Sequence, residues 1–240
     1  MIRRLILRLD SSSAARARLA DYAALAEALG AELLAEIEDD ERLSELAALG
    51  FMTEVSRASA SVRRLDREHL AQRSEQLMRR LNAQLAQISR ERPLRWSLIR
   101  RSHTAPPVHE RDAAVLRVNT PVRLPRSPRQ QQERLHMAVI DAGDDASARA
   151  LEYARRISAH LGWPLLLLAL PDSPRHRQHH LPPGVAVCTD LASIDSQSLK
   201  PMLRAWHVQL LLLPAEQLPA EERSGARYSQ ALGVPLLLTP

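Results

Sequence analysis

The side chains best suited to bind a metal ion stand in one short run, "HRQHH", which contains His176, His179 and His180. Imidazoles are ordinary zinc ligands, but a zinc site also needs further Cys, Asp or Glu ligands in a suitable geometry. His179 and His180 are adjacent in the chain, which hinders both from binding one ion, and prolines flank the run. We therefore predict a solvated loop here and no metal site.

Candidate nucleophiles are also scarce. The single cysteine, Cys188, lies in the apolar run "VAVCT", and a thiol buried in such a strand is inert because its pKa rises away from charged groups. One cysteine excludes an internal disulfide and any Cys-x-x-Cys motif, and no Gly-x-Ser-x-Gly elbow occurs. The sequence therefore predicts a protein that is not an enzyme and that belongs to a reducing compartment.

Two aspartates occupy similar contexts far apart in the chain. Asp10 ends an apolar run within "LILRLDSSSAARARLADYAALAEALG", and Asp141 does so within "AVIDAGDDASARALEYARRISAHLG". A gap of one residue in the loop places Gly30 opposite Gly162. A carboxylate at a strand end commonly caps the amides of the following loop or helix, and we favour that role for both aspartates.

The elements around these aspartates repeat as well. Each copy has a short apolar run typical of a buried strand, then a helix with an apolar stripe, then a glycine where the helix must end, then a second apolar strand. The stripes are Leu19, Tyr22, Ala26 and Leu29 in the first copy and Leu151, Ala154, Ile157 and Leu161 in the second. Strand–helix–strand units of this kind predict a parallel α/β sheet, and their separation indicates a duplicated domain.

The two copies then diverge. In the first, a long helix is predicted from about Asp66 to Ser89, followed by strands at "LRWSLI" and "AAVLRV" with little room for a helix between them. In the second, we predict a strand at "VAVCT", a helix at 196–206, a strand at "VQLLLLPA", a helix at 220–232 and a last strand at "VPLLLT". The three tryptophans, Trp96, Trp163 and Trp206, stand beside predicted strands and are expected to fill the core.

Taken together, these features resemble the universal stress protein family, arranged as a tandem pair over most of the chain. The resemblance rests on the strand-ending Asp10 and Asp141, the helices closed by "ALG" and "HLG", the segment "LAALGFMTEVSR" and the ending "LGVPLLLTP". It implies two tandem sheets, each parallel and five-stranded or truncated, of the adenine nucleotide α-hydrolase-like type. It also implies that Asp10 and Asp141 stand where nucleotide-binding members contact adenosine.

The resemblance further implies where a phosphate would bind. Nucleotide-binding members carry Gly-x2-Gly-x9-Gly-Ser/Thr after the fourth strand, because glycines let backbone amides approach phosphate oxygens. Here that loop reads "EQLPAEERSGARYSQ", in which Ser224 and Gly225 are the remaining candidates among prolines and glutamates. Prolines remove amide donors, and glutamates repel phosphate. We expect no cofactor; ATP or AMP held by Asp141, Ser224, Gly225 and Asp10 is the alternative.

The net charge of +5 is concentrated in the middle of the chain. Between Arg90 and His136 there are 11 Arg and four acidic residues. Within this segment, the stretch "RVNTPVRLPRSPRQQQER", which carries five Arg and one Glu, is interpreted as a solvated linker, the alternative being a strap that binds nucleic acid or another polyanion. It has no aromatic side chains to stack on bases, so nucleic acid is not the expected partner.

These observations define the expected organisation and role. We predict a first domain at 1–125, a basic linker at 126–135 and a second domain at 136–240. The start "MIRRLILRLDSSS" is too short an apolar run for a signal peptide, and we expect a cytoplasmic, stress-associated regulatory protein that contacts another protein and no membrane. The last strand is expected to pair with "PVRLP" of the first half or, failing that, with a second copy in a homodimer.

Overall fold

The computed structural model describes residues 2–9, 19–38, 41–55, 60–101, 112–118, 136–171, 173, 185–189, 191–219 and 225–240. Several of the residues considered above lie outside these ranges, so what was predicted of them stays a prediction: Asp10, most of the basic segment including 119–135, His176, His179, His180 and Ser224.

Nine strands form one continuous sheet, which confirms the α/β class. The first half of the chain supplies β1 (Arg4–Leu9), β2 (Glu32–Glu38), β5 (Trp96–Arg101) and β6 (Ala113–Arg117), and the second half supplies β7 (His136–Asp141), β8 (Leu165–Ala169), β9 (Val185–Cys188), β10 (Val208–Pro214) and β11 (Leu236–Thr239). Their order across the sheet is β5-β2-β1-β6-β11-β10-β7-β8-β9. Within each half all neighbours are parallel.

The two halves join through β6 and β11, which run antiparallel. The two tandem parallel sheets are therefore joined into one, and the last strand pairs within the chain, as expected. Its expected partner was wrong, because β11 pairs with β6 and not with "PVRLP", which lies outside the described residues. Since β11 also pairs with β10, both of its edges are occupied within the chain, which leaves no free edge there for the homodimer proposed as the alternative.

The helices form layers on the two faces of this sheet. They are α1 (Leu19–Leu29), α2 (Glu41–Ala48), α3 (Arg67–Glu91), α4 (Asp145–Leu161), α5 (Ser196–Ala205) and α6 (Gly225–Leu232). Side chains of α1, α3 and α4 share one apolar core with strands of both halves. Helices α5 and α6 bury the opposite face of the second half. The first core crosses the junction, so it ties the two halves together.

The local signals read from the sequence account for several element ends. Gly30 and Gly162 have φ of +65° and +69°, the left-handed conformation that glycine adopts without strain after a helix. Asp144 caps α4 by accepting a hydrogen bond from the backbone N of Ser147 at 2.7 Å. Asp66 caps α3 in the same way, accepting from the N of Glu68 at 3.1 Å. Helix α3 was predicted to within about two residues at each end.

Sequence reasoning missed a small hairpin between α2 and α3. Its strands are β3 (Thr53–Val55) and β4 (Val62–Arg64), which pair antiparallel with each other. On one face of the hairpin Arg63 is ion-paired with Glu54, which also pairs with Arg73 of α3 at 3.1 Å. The hairpin and α2 together form an insertion that projects large apolar side chains outward. Among the described residues no helix combines the length and the apolar character needed to cross a membrane.

A buried charge cluster lies on the face of the first half that is opposite to α1. Glu36 of β2 is fully buried, and its Oε2 accepts hydrogen bonds from Nε of Arg8 at 2.9 Å and from Nη1 of Arg101 at 3.1 Å. The two guanidinium side chains are about one-tenth exposed. In the second half the corresponding face is apolar and is covered by α5 and α6. The halves therefore share a sheet pattern but differ in how this face is stabilised.

Candidate functional site

The first candidate, Asp141, ends β7 and is 1% exposed. Its Oδ1 accepts a hydrogen bond from the N of Gly143 at 3.0 Å, and its Oδ2 accepts one from Oγ of Ser173 at 3.1 Å. Both contacts hold loops at the carboxyl edge of the sheet. The loop-organising role favoured for this carboxylate is therefore present, and a role in binding a cofactor stays a prediction.

A second carboxylate links this loop to the loop after β10. Nε2 of Gln217 donates to Oδ2 of Asp144 and to Oγ of Ser147, both at 2.8 Å. Oγ of Ser147 also accepts from the N of Ala142 at 3.0 Å. Desolvation disfavours the charged form of Asp144, but the hydrogen bonds from Ser147 and Gln217 outweigh it and hold the pKa of that carboxyl below its usual 3.8. Hydrogen bonds between side chains thus connect the loop that follows β7 with the loop that follows β10.

Gln217 was missed by sequence reasoning. It lies three residues beyond Pro214, the last residue of β10, in a 3₁₀ turn formed by Ala215–Gln217. A polar side chain that follows a buried strand so closely is the signal that could have pointed to it. Within the described chain two buried oxygens at this edge, Oε1 of Gln217 and Oγ1 of Thr239, have no hydrogen-bond partner.

Gly225, predicted as a phosphate-binding candidate, begins α6 and is buried. A Cβ at this position would lie 3.0 Å from Cδ1 of Leu238 and 3.5 Å from Cγ of Arg117. The glycine therefore lets the start of α6 approach the junction between β6 and β11. This packing role explains the residue without a ligand.

The register of the sheet corrects the proposed match between Asp10 and Asp141. Gly30 and Gly162, which end the first helix of each half, are 132 positions apart, and Leu33 and Leu165 of the strands that follow are at the same interval. Because Leu5 pairs with Leu33 and Met137 pairs with Leu165, the first strands of the two halves are also 132 positions apart. At that interval the position equivalent to Asp141 is Leu9, which is buried. The gap assumed in the first loop was wrong, because the sheet needs none. Asp10 is one position later and lies outside the described residues.

The remaining candidates are scattered. Cys188 is 8% exposed in β9, which confirms that it is buried. Trp163 is buried and Trp96 partly buried against the core, as expected. Trp206 was misassigned: it is 36% exposed and meets the ring of His136 edge-on, with centroids 5.6 Å apart. Across the described residues no group of three or more His, Cys, Asp or Glu side chains is placed to hold a metal ion.

Comparison with solved structures identifies the architecture. A universal stress protein from Archaeoglobus fulgidus superposes with a TM-score of 0.55 and 9% identity, covering 98% of this chain and 95% of that one. A protein from Pseudomonas aeruginosa, provisionally assigned to the universal stress proteins, superposes with a TM-score of 0.50 and 11% identity, covering 99% and 93%. The chain has the universal stress protein fold. No protein-family model and no curated protein matches its sequence.

In this fold the carboxyl edge of the second half is the natural place for a ligand. The strand order β9-β8-β7-β10-β11 reverses its direction of winding between β7 and β10, and open α/β sheets bind ligands at such a switch point. In this chain the switch point is occupied by the side chains of Asp141, Asp144 and Gln217. Two carboxylates at this position disfavour an incoming phosphate.

Proposed function

We propose that this chain is a non-enzymatic regulatory protein, associated with stress responses, that acts by contacting another protein and has lost adenine nucleotide binding. The observation that carries the proposal is the crosslink between Gln217 and the carboxylate of Asp144. It closes the switch point with groups from the chain, so a nucleotide would have to break two hydrogen bonds of 2.8 Å to enter. The bond to Asp144 is charge-assisted but lies at the surface, whereas the bond to Ser147 involves a buried hydroxyl that would lose this donor.

An exposed apolar surface supports the protein-contact part of the proposal. The insertion between β2 and α3 exposes Phe51 by 75%, Val62 by 65% and Val55 by 62%. Three leucines of the same insertion are exposed by more than a third: Leu43, Leu46 and Leu49. Clustered apolar side chains on a surface are typical of protein interaction sites.

The second candidate function is an adenine nucleotide-binding module in the second half. It is favoured by the two buried oxygens that have no partner within the described chain, Oε1 of Gln217 and Oγ1 of Thr239. Each could accept a hydrogen bond from a ligand hydroxyl or amino group. The polyanion-binding alternative rests on the basic segment, most of which lies outside the described residues.

Calorimetric and thermal-shift titrations with ATP, ADP and AMP separate the first two functions. We expect no heat of binding and no rise in the melting temperature with any of them. A nucleotide at about 100 times its Kd would stabilise the native state by about 2.7 kcal/mol, and such a rise would overturn the proposal. Gln217→Ala opens the switch point and serves as a second test: nucleotide binding gained only in this variant would support closure by Gln217.

The protein-contact part is tested with Phe51→Ser. A partner identified by crosslinking in cells and then purified should bind the variant at least tenfold more weakly than the wild-type chain. Arg79→Ser is the control, because Arg79 is on the outer surface of α3, paired with Glu75. Equal affinity for both variants would argue against the insertion as the contact surface.

A further inference from the structure

A second concave surface lies at the opposite edge of the sheet, away from the switch point. It is a cleft of about 910 Å³ at the amino ends of the strands of the first half. Its apolar wall is made by Ile2, Ala31 and Leu94, which are 1%, 7% and 9% exposed. Its size is within the range of pockets that hold small molecules, about 300–1,000 Å³.

Three arginines and three acidic residues line this cleft. Arg3 is ion-paired with Asp112 at 3.7 Å, and Arg4 is ion-paired with Glu32 at 3.5 Å. The third, Arg95, has no carboxylate within ion-pair distance among the residues that the structure describes. Of the three arginines, Arg95 is therefore the one whose charge no carboxylate of the described lining neutralises.

The third acidic side chain of the lining does not neutralise Arg95. Glu27 also lines the cleft, but its Oε2 is already paired with Nη1 of Arg92 at 3.0 Å and lies 4.0 Å from Nε2 of His160. The negative charge of Glu27 is therefore balanced by Arg92, which does not line the cleft. The group left to face a ligand is the guanidinium of Arg95, next to an apolar wall.

The second half of the chain differs from the first at one position that lines the cleft. The interval of 132 residues that relates the two halves places Ala31 opposite Trp163 (163 − 31 = 132), each directly after the glycine that ends a helix. Trp163 is 3% exposed and packs into the core. Ala31 has a much smaller side chain and is 7% exposed. The two copies of the unit therefore differ in side-chain volume at a position that lines the cleft.

We propose that this cleft binds a small molecule that carries one anionic group, a carboxylate or a phosphate monoester, on an apolar body. The anionic group would be bound by the guanidinium of Arg95, which forms paired hydrogen bonds with such groups. The apolar body would lie on Ile2, Pro93 and Leu94 beside Ala31. The site is independent of the function proposed above, because it lies at the other edge of the sheet.

The test is an NMR titration of the full chain with hexanoate, phenyl phosphate and hexylamine at millimolar concentrations. Both anions, or one of them, should shift the amide signals of Ala31, Leu94 and Arg95, and which anion binds identifies the head group. Hexylamine has the apolar body without the negative charge and should leave these signals unchanged. The proposal is overturned if neither anion shifts them or if hexylamine shifts them equally.

Two variants locate the site and one serves as a control. Ala31→Trp copies the second half and should abolish binding by filling the cleft, while Arg95→Gln should weaken it at least tenfold with the cleft left open. Arg79→Gln removes a surface guanidinium elsewhere and should leave binding unchanged. If Ala31→Trp fails to fold, as judged by circular dichroism, Arg95→Gln decides. Unchanged affinity in Arg95→Gln contradicts the proposal.

Discussion

Leu237 of the last strand lies opposite Leu116 of β6 in an antiparallel pair, and both side chains are fully buried. The pair joins residues from the two halves of the chain at the centre of the sheet. Both leucines belong to the core that also contains side chains of α1 and α4. The halves are therefore expected to unfold together.

The first prediction concerns this junction. Leu237→Ala should lower the free energy of unfolding by about 2–5 kcal/mol, because a large buried side chain is removed and a cavity remains. Urea unfolding followed by circular dichroism should show a single transition, shifted as a whole to lower urea. Ile99→Ala, at a position 40% exposed on the edge strand β5, is the control and should cost less than about 1 kcal/mol. Two separate transitions would show that the halves unfold independently.

The sequence predicts the individual strands and helices, but it does not predict how the strands of the two halves pair across the sheet. Apolar runs, helix stripes and helix-ending glycines predicted most strands and helices, because these signals act over a few residues. The pairing of β11 with β6 brings together segments more than 100 residues apart, and no local pattern specifies it. The one-residue gap assumed before Leu19 was an error of the same kind. Only the pairing of Leu5 with Leu33 and of Met137 with Leu165 fixes the register.

At the candidate site, too, local contacts could be predicted from the sequence and long-range contacts could not. Asp144 could be expected to cap a helix because the cap lies next to the helix in sequence. The contact of Asp144 with Gln217 spans 73 residues and depends on the adjacency of β7 and β10. The buried Glu36 was also missed, since an alternating strand such as "ELLAEIE" normally directs its glutamates to solvent.

A second prediction compares two leucines that the sequence treats as equivalent. Leu29 is 3% exposed, whereas its counterpart Leu161 is only partly buried at the end of α4. Leu29→Ala should therefore cost about 2–5 kcal/mol, and Leu161→Ala less than half as much. Thermal or urea unfolding of the two variants measures the difference. A larger loss for Leu161→Ala would mean that the two helices pack differently from the structure described here.

The third prediction concerns the buried carboxylate of β2. Glu36→Gln removes the charge shared by Arg8 and Arg101 and leaves two buried guanidinium groups without it, so the free energy of unfolding should fall by about 3–5 kcal/mol. Glu32→Gln on the same strand is the matched control. Its side chain is 34% exposed, and its pair with Arg4 should contribute less than about 1 kcal/mol. Similar losses in both variants would show that the buried cluster contributes no more stability than the exposed pair of Glu32 with Arg4.

The last prediction tests the switch point through its dependence on pH. Asp144 has a folded-state pKa below its usual 3.8, so its contribution to stability is complete above that value and is lost as the pH falls through the folded-state pKa. Asp144→Ala removes both the helix cap and the acceptor for Gln217, and should cost about 1–2 kcal/mol at pH 7. The difference from the wild-type chain should narrow as the pH falls from about 5 to about 2.

The control for this prediction is Asp145→Ala, which removes the neighbouring carboxylate in the first turn of α4. The structure shows no hydrogen bond from the described chain to that side chain, so its effect at pH 7 should be smaller and should come only from the helix dipole, about 0.3–1 kcal/mol. Unfolding at several pH values measures both variants. If the cost of Asp144→Ala stays constant down to about pH 2, the hydrogen bonds from Ser147 and Gln217 do not favour the ionised carboxylate over the protonated one.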